Sequence, residues 1–166
     1  MRTPVQTPVQ TGPLMNIELA DEAATCALAH KLAGAVQSGD VIALSGDLGS
    51  GKSVFARAFI NARSSAPQDV PSPTYTLVQT YDVAGGTIYH FDLYRIEYPS
   101  ELEELGMEDA FDSGISLIEW PDRMGGLLPA DRLDVLLAAG DGEGQRLATL
   151  IGAGNWAGRI GILAND

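Results

Sequence analysis

The chain has 166 residues, a length that suits one domain with a substantial core. Its 45% hydrophobic content is ordinary for a globular protein, and no apolar run approaches the roughly 20 residues that span a bilayer. With 22 acidic and 10 basic residues the formal net charge is −12, the opposite of the basic footprint of a free-standing nucleic-acid binder. The single cysteine, Cys26, excludes an intrachain disulfide and a cysteine metal cluster, and a reducing cytoplasm is the expected compartment. Neither a membrane nor DNA is expected as a partner.

Met1 to Pro13 is polar, with three prolines and three threonines, and lacks the apolar core of a secretory signal, so residues 1–15 are expected to be a disordered leader. Residues 16–166 are expected to form one domain. Asp21 caps a helix reaching about Val36, with Thr25, Leu28, Leu32 and Val36 along one face. After a turn at Ser38-Gly39-Asp40, the apolar run Val41–Leu44 leads into Gly46-Asp47-Leu48-Gly49-Ser50-Gly51-Lys52-Ser53. A helix with an apolar face of Val54, Phe55, Ala58, Phe59 and Ala62 then runs to about Arg63.

Pro71-Ser72-Pro73 holds a loop extended. Alternation predicts a strand over 74–83, a hairpin turn at Ala84-Gly85-Gly86 and a returning strand over 87–94. Ser100 is the expected cap of a helix from Pro99, followed by a short helical piece over 108–111. Ile115–Trp120 reads as a second apolar strand closing on Glu119. A glycine-rich loop follows Pro121. Leu133–Ala138 and Arg146–Ile151 read as an antiparallel pair, and Trp156–Leu163 has no clear type.

Strand, glycine-rich loop and helix with the spacing G-x-x-x-x-G-K-[ST] form a phosphate cradle. Glycines let successive backbone N–H groups turn inward, and the helix N-terminus adds its positive end. The loop from Asp47 through Leu48, Gly49, Ser50 and Gly51 to Lys52, Ser53 and Val54 is therefore expected to bind nucleotide phosphates. Lys52 reaches the β- and γ-phosphates and the Ser53 hydroxyl ligates Mg²⁺. Lys52 is expected to face solvent when no nucleotide is bound, so that its removal spares the fold. Glu119, at the end of an apolar strand, is the candidate second holder of Mg²⁺; a strand-end carboxylate capping amides is the plainer reading. Asp92 interrupts an apolar and aromatic strand. It either orients the attacking water, acts as base or supports the metal, or it forms a structural ion pair with Arg95. Thr74 and Thr76 follow the proline-bounded loop, where a threonine can sense the γ-phosphate, and Trp120 can cover the nucleotide. His90 is assigned to packing or hydrogen bonding. No guanine-reading N-K-x-D motif is present, which favours ATP over GTP.

Gly46–Ser53, Ser72-Pro73-Thr74-Tyr75-Thr76-Leu77-Val78, His90-Phe91-Asp92-Leu93-Tyr94-Arg95 and Ile118-Glu119-Trp120-Pro121, in this order, resemble the TsaE (formerly YjeE) family over about 19–151. That resemblance implies an α/β, P-loop NTPase-like three-layer fold with a mixed, partly antiparallel central sheet. It implies ATP hydrolysis supporting the TsaB–TsaD pair, which transfers threonylcarbamoyl to adenosine 37 of ANN-decoding tRNAs, so that tRNA is met only through the complex. By the same resemblance Lys52 and the loop amides hold phosphates, and Ser53 and Glu119 hold Mg²⁺. Asp92 is the catalytic aspartate, Thr74 belongs to a switch-like loop, and Trp120 lies beside the nucleotide. Glu22, Thr25 and Arg146 approach it from flanking segments. Ser53 stands where the family usually has threonine, and 153–166 match poorly. Two other readings are a nucleotide-gated adaptor, in which binding alone controls assembly, and a small-molecule kinase. The kinase reading lacks a clustered set of arginines after the P-loop.

Overall fold

The computed structural model describes residues 12–164. Their sheet has seven strands in the order β1-β7-β6-β2-β5-β4-β3. The strands are β1 (Leu14–Leu19), β2 (Val41–Ser45), β3 (Val78–Val83), β4 (Gly86–Asp92), β5 (Ile115–Glu119), β6 (Leu133–Ala139) and β7 (Arg146–Gly152). Parallel pairing joins β4, β5, β2 and β6, while β3, β7 and β1 attach antiparallel at the two flanks. The expected mixed sheet is therefore present. Val41–Leu44 and all of β5 are buried, as continuous apolar strands of a parallel core covered on both faces must be.

One face carries α1 (Glu22–Ala35) and α2 (Lys52–Arg63). Leu28, Ala29, Leu32 and Ala33 of α1 and Phe55, Ala56, Phe59 and Ile60 of α2 pack there on Ile42, Leu44, Ile88, Leu117 and Val135. Asp21 caps α1, accepting from the Ala24 amide at 2.9 Å, as its position predicts. The α2 face is shifted from the expected one: Ala56 and Ile60 are buried and Ala62 is exposed. The other face carries α3 (Met107–Ser113) and two 3-10 segments, Pro99–Leu105 and Pro121–Leu127, packed on Val41, Ala43, Phe91 and Ile118. The result is a three-layer α/β, P-loop NTPase-like fold.

Several boundaries move. Leu14 and Met15, assigned to the leader, pair with Ile151 and Leu150 as the start of β1; residues 1–11 lie outside the described residues. The strand expected from Thr74 begins only at Val78, because Thr74-Tyr75-Thr76 form a turn closed by Leu77 at φ 70°, its amide donating to the Pro73 carbonyl at 2.7 Å. Ser100 is not the cap of the Pro99 segment. The Glu101 carboxylate takes that task, accepting from the Glu97 and Tyr98 amides at 2.8 Å each. The C-terminal stretch forms 3-10 turns, Gly154–Ala157 and Ile160–Ala164, that bury Trp156, Ile160 and Leu163 in the core shared with α1. Arg159 ties it down: its guanidinium donates to both Asp40 carboxylate oxygens, at 2.9 and 2.7 Å, and to the Ala35 carbonyl at 2.6 Å. No helix among the described residues is long and apolar enough to cross a membrane.

Candidate functional site

The sheet changes direction of winding at β2, where β5 and β6 flank it on opposite sides. The carboxyl ends of parallel strands at such a point form the usual binding crevice of open α/β sheets. Here they open into a cavity of about 450 Å³. Its walls are the loop after β2, the start of α2, the loop residues Ser72 and Thr74, and the ends of β4 and β5 with Tyr94 and Trp120; Arg146 closes one side.

Gly46 and Gly51 explain why the loop needs glycine. Gly46 sits at φ 152°, and a Cβ there would collide with Ser50 Oγ and the Leu137 carbonyl. Gly51, at φ 105°, turns the chain into α2 with the helix N-terminus facing the cavity. Asp47, Leu48, Gly49, Gly51, Lys52, Ser53 and Val54 all line the cavity. Ser50 does not: its side chain is buried against Gly46 behind the loop, and its amide donates to Asp47.

Lys52 corrects one expectation. It is buried at 6% exposure rather than facing solvent. Its ammonium donates to the Gly46 carbonyl and, at 3.3 Å, to the Asp47 carbonyl, and lies 4.1 Å from the centre of the Trp120 ring. Burial lowers its pKa from 10.5, while Glu119, Asp92, Asp47 and Asp122 pull it back upward. The lysine is thus parked on loop carbonyls and an indole face. Trp120 is itself held at φ 58°, packed at 5.0 Å against Tyr94, a conformation that costs energy in a non-glycine residue.

Asp92 and Glu119 are direct register partners on β4 and β5, both buried. Neighbouring residues in register share a face, so the two carboxylates stand side by side at the cavity floor. Asp92 makes no ion pair with Arg95 among the described residues; Arg95 lies instead over the Tyr75 ring at 5.0 Å. Asp92 Oδ2 accepts from Ser72 Oγ at 3.2 Å and from Thr74 Oγ1 at 3.1 Å, and Oδ1 accepts from the Tyr94 amide at 3.0 Å. The structural ion-pair reading therefore falls. Glu119 Oε2 lies 2.6 Å from His90 Nε2. Thr76 stands apart, accepting from Gln79 rather than lining the cavity.

Glu22 and Thr25 line a smaller adjoining cavity of about 190 Å³, which shares Gly51, Val54 and Arg146 with the first. Arg146 reaches across from β7 and donates to the Ser50 and Gly49 carbonyls, each at 3.1 Å. Two cavity residues escaped the sequence reading as site residues: Ser72, visible only as the middle of Pro-Ser-Pro, and Tyr94, two residues past Asp92.

Ser53, Asp92 and Glu119 offer only oxygen donors, which suits a hard cation. Among the described residues no three His, Cys, Asp or Glu side chains cluster tightly enough to cage a metal. Mg²⁺ takes one or two carboxylates and fills its remaining positions with water and phosphate oxygens, so the Ser53 hydroxyl with the Asp92 and Glu119 carboxylates in one cavity is a donor set of the kind it uses.

A glycine loop between a central strand and a helix, with paired carboxylates on the neighbouring strands, defines a P-loop NTPase-like protein. The family model for the threonylcarbamoyl adenosine biosynthesis protein TsaE matches residues 19–147. The chain belongs to the TsaE family. It is 40% identical over 133 residues to the tRNA threonylcarbamoyladenosine biosynthesis protein TsaE of Rickettsia felis, covering 80% of this chain and 77% of that one. With the TsaE protein of Bacillus subtilis it shares 36% identity over 130 residues, 77% and 80% of the two chains. The crystal structure of YdiB from Bacillus subtilis superposes with a TM-score of 0.74 at 26% identity, over 94% of this chain and 95% of that one.

Proposed function

We propose that this protein binds and hydrolyses Mg²⁺–ATP, and that this turnover supports the TsaB–TsaD pair in threonylcarbamoylation of adenosine 37 in ANN-decoding tRNAs. The supporting observation is the pair Asp92 and Glu119, in register beside the phosphate-type loop and within electrostatic reach of Lys52. A site that only held phosphate needs no such second carboxylate.

Binding nucleotide draws the Lys52 ammonium from the Gly46 and Asp47 carbonyls onto the β- and γ-phosphate oxygens, exchanging neutral acceptors for charged ones. The amides of 47–53 and the α2 N-terminus take the remaining phosphate charge. Ser53 and Glu119 hold Mg²⁺, which when bound supplies charge neutralisation for the phosphoryl group. Asp92, kept in place by Ser72, Thr74 and the Tyr94 amide, orients water for in-line attack. Trp120 covers the nucleotide side of the cavity. Glu22, Thr25 and Arg146 line the adjoining space on the other side of Gly51 and Val54. With a net charge of −12, the chain meets tRNA through its partners.

Catalysis of this kind is mostly positioning, so a slow isolated ATPase accelerated by TsaB–TsaD and tRNA is expected. The test is Asp92→Asn, assayed for ATP binding, phosphate release and tRNA modification in the reconstituted system. ATP affinity stays near that of the wild type, while phosphate release and modification are both lost. Full modification by a hydrolysis-dead variant would instead establish the adaptor reading, in which binding alone controls assembly.

A further inference from the structure

His90 lies two residues before Asp92 on β4 and shares its face of the sheet. It is 2% exposed and contributes nothing to the cavity wall. Its Nε2 is 2.6 Å from Glu119 Oε2, whereas its Nδ1 is buried with no partner among the described residues. That asymmetry assigns the proton. An N–H at Nδ1 would be a buried donor without an acceptor, an arrangement folded chains avoid. With the proton on Nδ1, the bare Nε2 lone pair would also face the Glu119 oxygen at 2.6 Å, so the proton sits on Nε2 and is donated to Glu119.

Glu119 has a competing attraction. Its charge acts on the Lys52 ammonium, yet no ion pair joins the two among the described residues. A carboxylate that swung onto Lys52 would withdraw both groups at once, one from the metal and one from the phosphates. The hydrogen bond from His90 engages Oε2 and leaves Oε1 as the oxygen available to a cation.

We propose that His90 is the positioning residue of the metal-holding carboxylate: its Nε2–H holds Glu119 in the orientation that accepts Mg²⁺ and away from Lys52. This rests on the Mg²⁺–ATP reading above. Partners that orient a ligating side chain in this way typically carry 10–100-fold in metal affinity.

The test uses the full chain and three variants. In His90→Gln the amide nitrogen takes roughly the place of Nε2 and keeps the donor. In His90→Asn the amide is too short to reach Glu119, and His90→Leu has no donor. Mn²⁺, read by electron paramagnetic resonance, reports metal binding to the ADP-loaded protein; calorimetry with EDTA present reports nucleotide affinity without metal. Expected is a Mn²⁺ affinity about 10- to 100-fold weaker in the Asn and Leu variants, recovery to near wild type in Gln, and metal-free ADP affinity within about twofold throughout. Unchanged Mn²⁺ affinity in His90→Asn overturns the positioning role. So does a Gln variant as weak as Asn, which would mean that ring packing and not the donor matters. A wild-type chain that binds no adenine nucleotide at all overturns the Mg²⁺–ATP reading itself, and is told apart from the other two results by the wild-type titration alone.

Discussion

Replacing Lys52 with alanine affects nucleotide affinity and fold stability by different amounts, and the structure sizes both. A charge-assisted hydrogen bond to phosphate contributes about 1.5–3 kcal/mol; taking one such bond as the net gain over the two carbonyl bonds given up, losing the ammonium weakens ATP binding by about 10- to 150-fold. The fold behaves differently. Removing the side chain deletes the bonds to the Gly46 and Asp47 carbonyls and the contact with Trp120, but also removes a buried cation. These oppose each other, and their balance depends on pH. Burial depresses the Lys52 pKa from 10.5, so in the window between the depressed value and 10.5 the unfolded chain binds more protons than the folded one. Stability from this group therefore rises with pH through that window, its cost being fully present below it. ATP affinity moves the other way, falling as the ammonium loses its proton before an ordinary lysine would. The assays are calorimetric ATP titration and thermal melts, for wild type and Lys52→Ala, from neutral to alkaline pH. The alanine variant should bind weakly at every pH and lack the upward stability slope of the wild type. Equal ATP affinity in the two proteins at neutral pH would refute the assignment of Lys52 to phosphate. Equal stability slopes would refute its burial as the source of the pKa shift.

Among the described residues, Arg159→Ala leaves the Asp40 carboxylate with only the Gln37 amide and uncovers Trp156, over which the guanidinium lies at 3.9 Å. The pair is partly exposed, so the expected cost is about 2–3 kcal/mol, a fall of about 5–10 °C in Tm, with ATP affinity unchanged because Asp40 precedes β2 at the end away from the loop. Tyr81→Phe deletes a buried hydroxyl that has no partner among the described residues, so urea melts should show a neutral to stabilising change of up to about 1 kcal/mol. Burial, reinforced by Asp69, raises the Tyr81 pKa, so the wild type loses stability as pH climbs past 10.0, where the unfolded tyrosine ionises first; the phenylalanine variant lacks that loss.

Local chemistry was legible wherever one segment carries it whole. The loop Gly46–Ser53 has its spacing, its strand and its helix within 23 residues of sequence, and α2 starts and stops where the pattern says. Asp21 as a cap and the buried face of α1 follow from spacing alone. The turn at 74–77 was not legible, since the alternation of Tyr75, Leu77, Gln79 and Tyr81 imitates a strand. What breaks it is the Asp92 carboxylate, which gathers the Ser72 and Thr74 hydroxyls from a segment 18–20 residues away.

By itself, then, the sequence determined that a phosphate-type loop exists, that its two acids end apolar strands, and that the chain carries a net charge of −12 and not a basic footprint. Only the tertiary structure decided how these meet. Strand order puts β5 between β2 and β4, which places Glu119 in register with Asp92 and sets both beside the loop. It seats Arg146 of β7 on the loop carbonyls, buries Lys52 against Trp120, and joins His90 to Glu119. None of these pairings has a local signal. Each is a contact between strands or loops far apart in sequence, made where the sheet brings them within a few ångströms, and a buried charge or ring nitrogen there takes whatever partner the fold supplies.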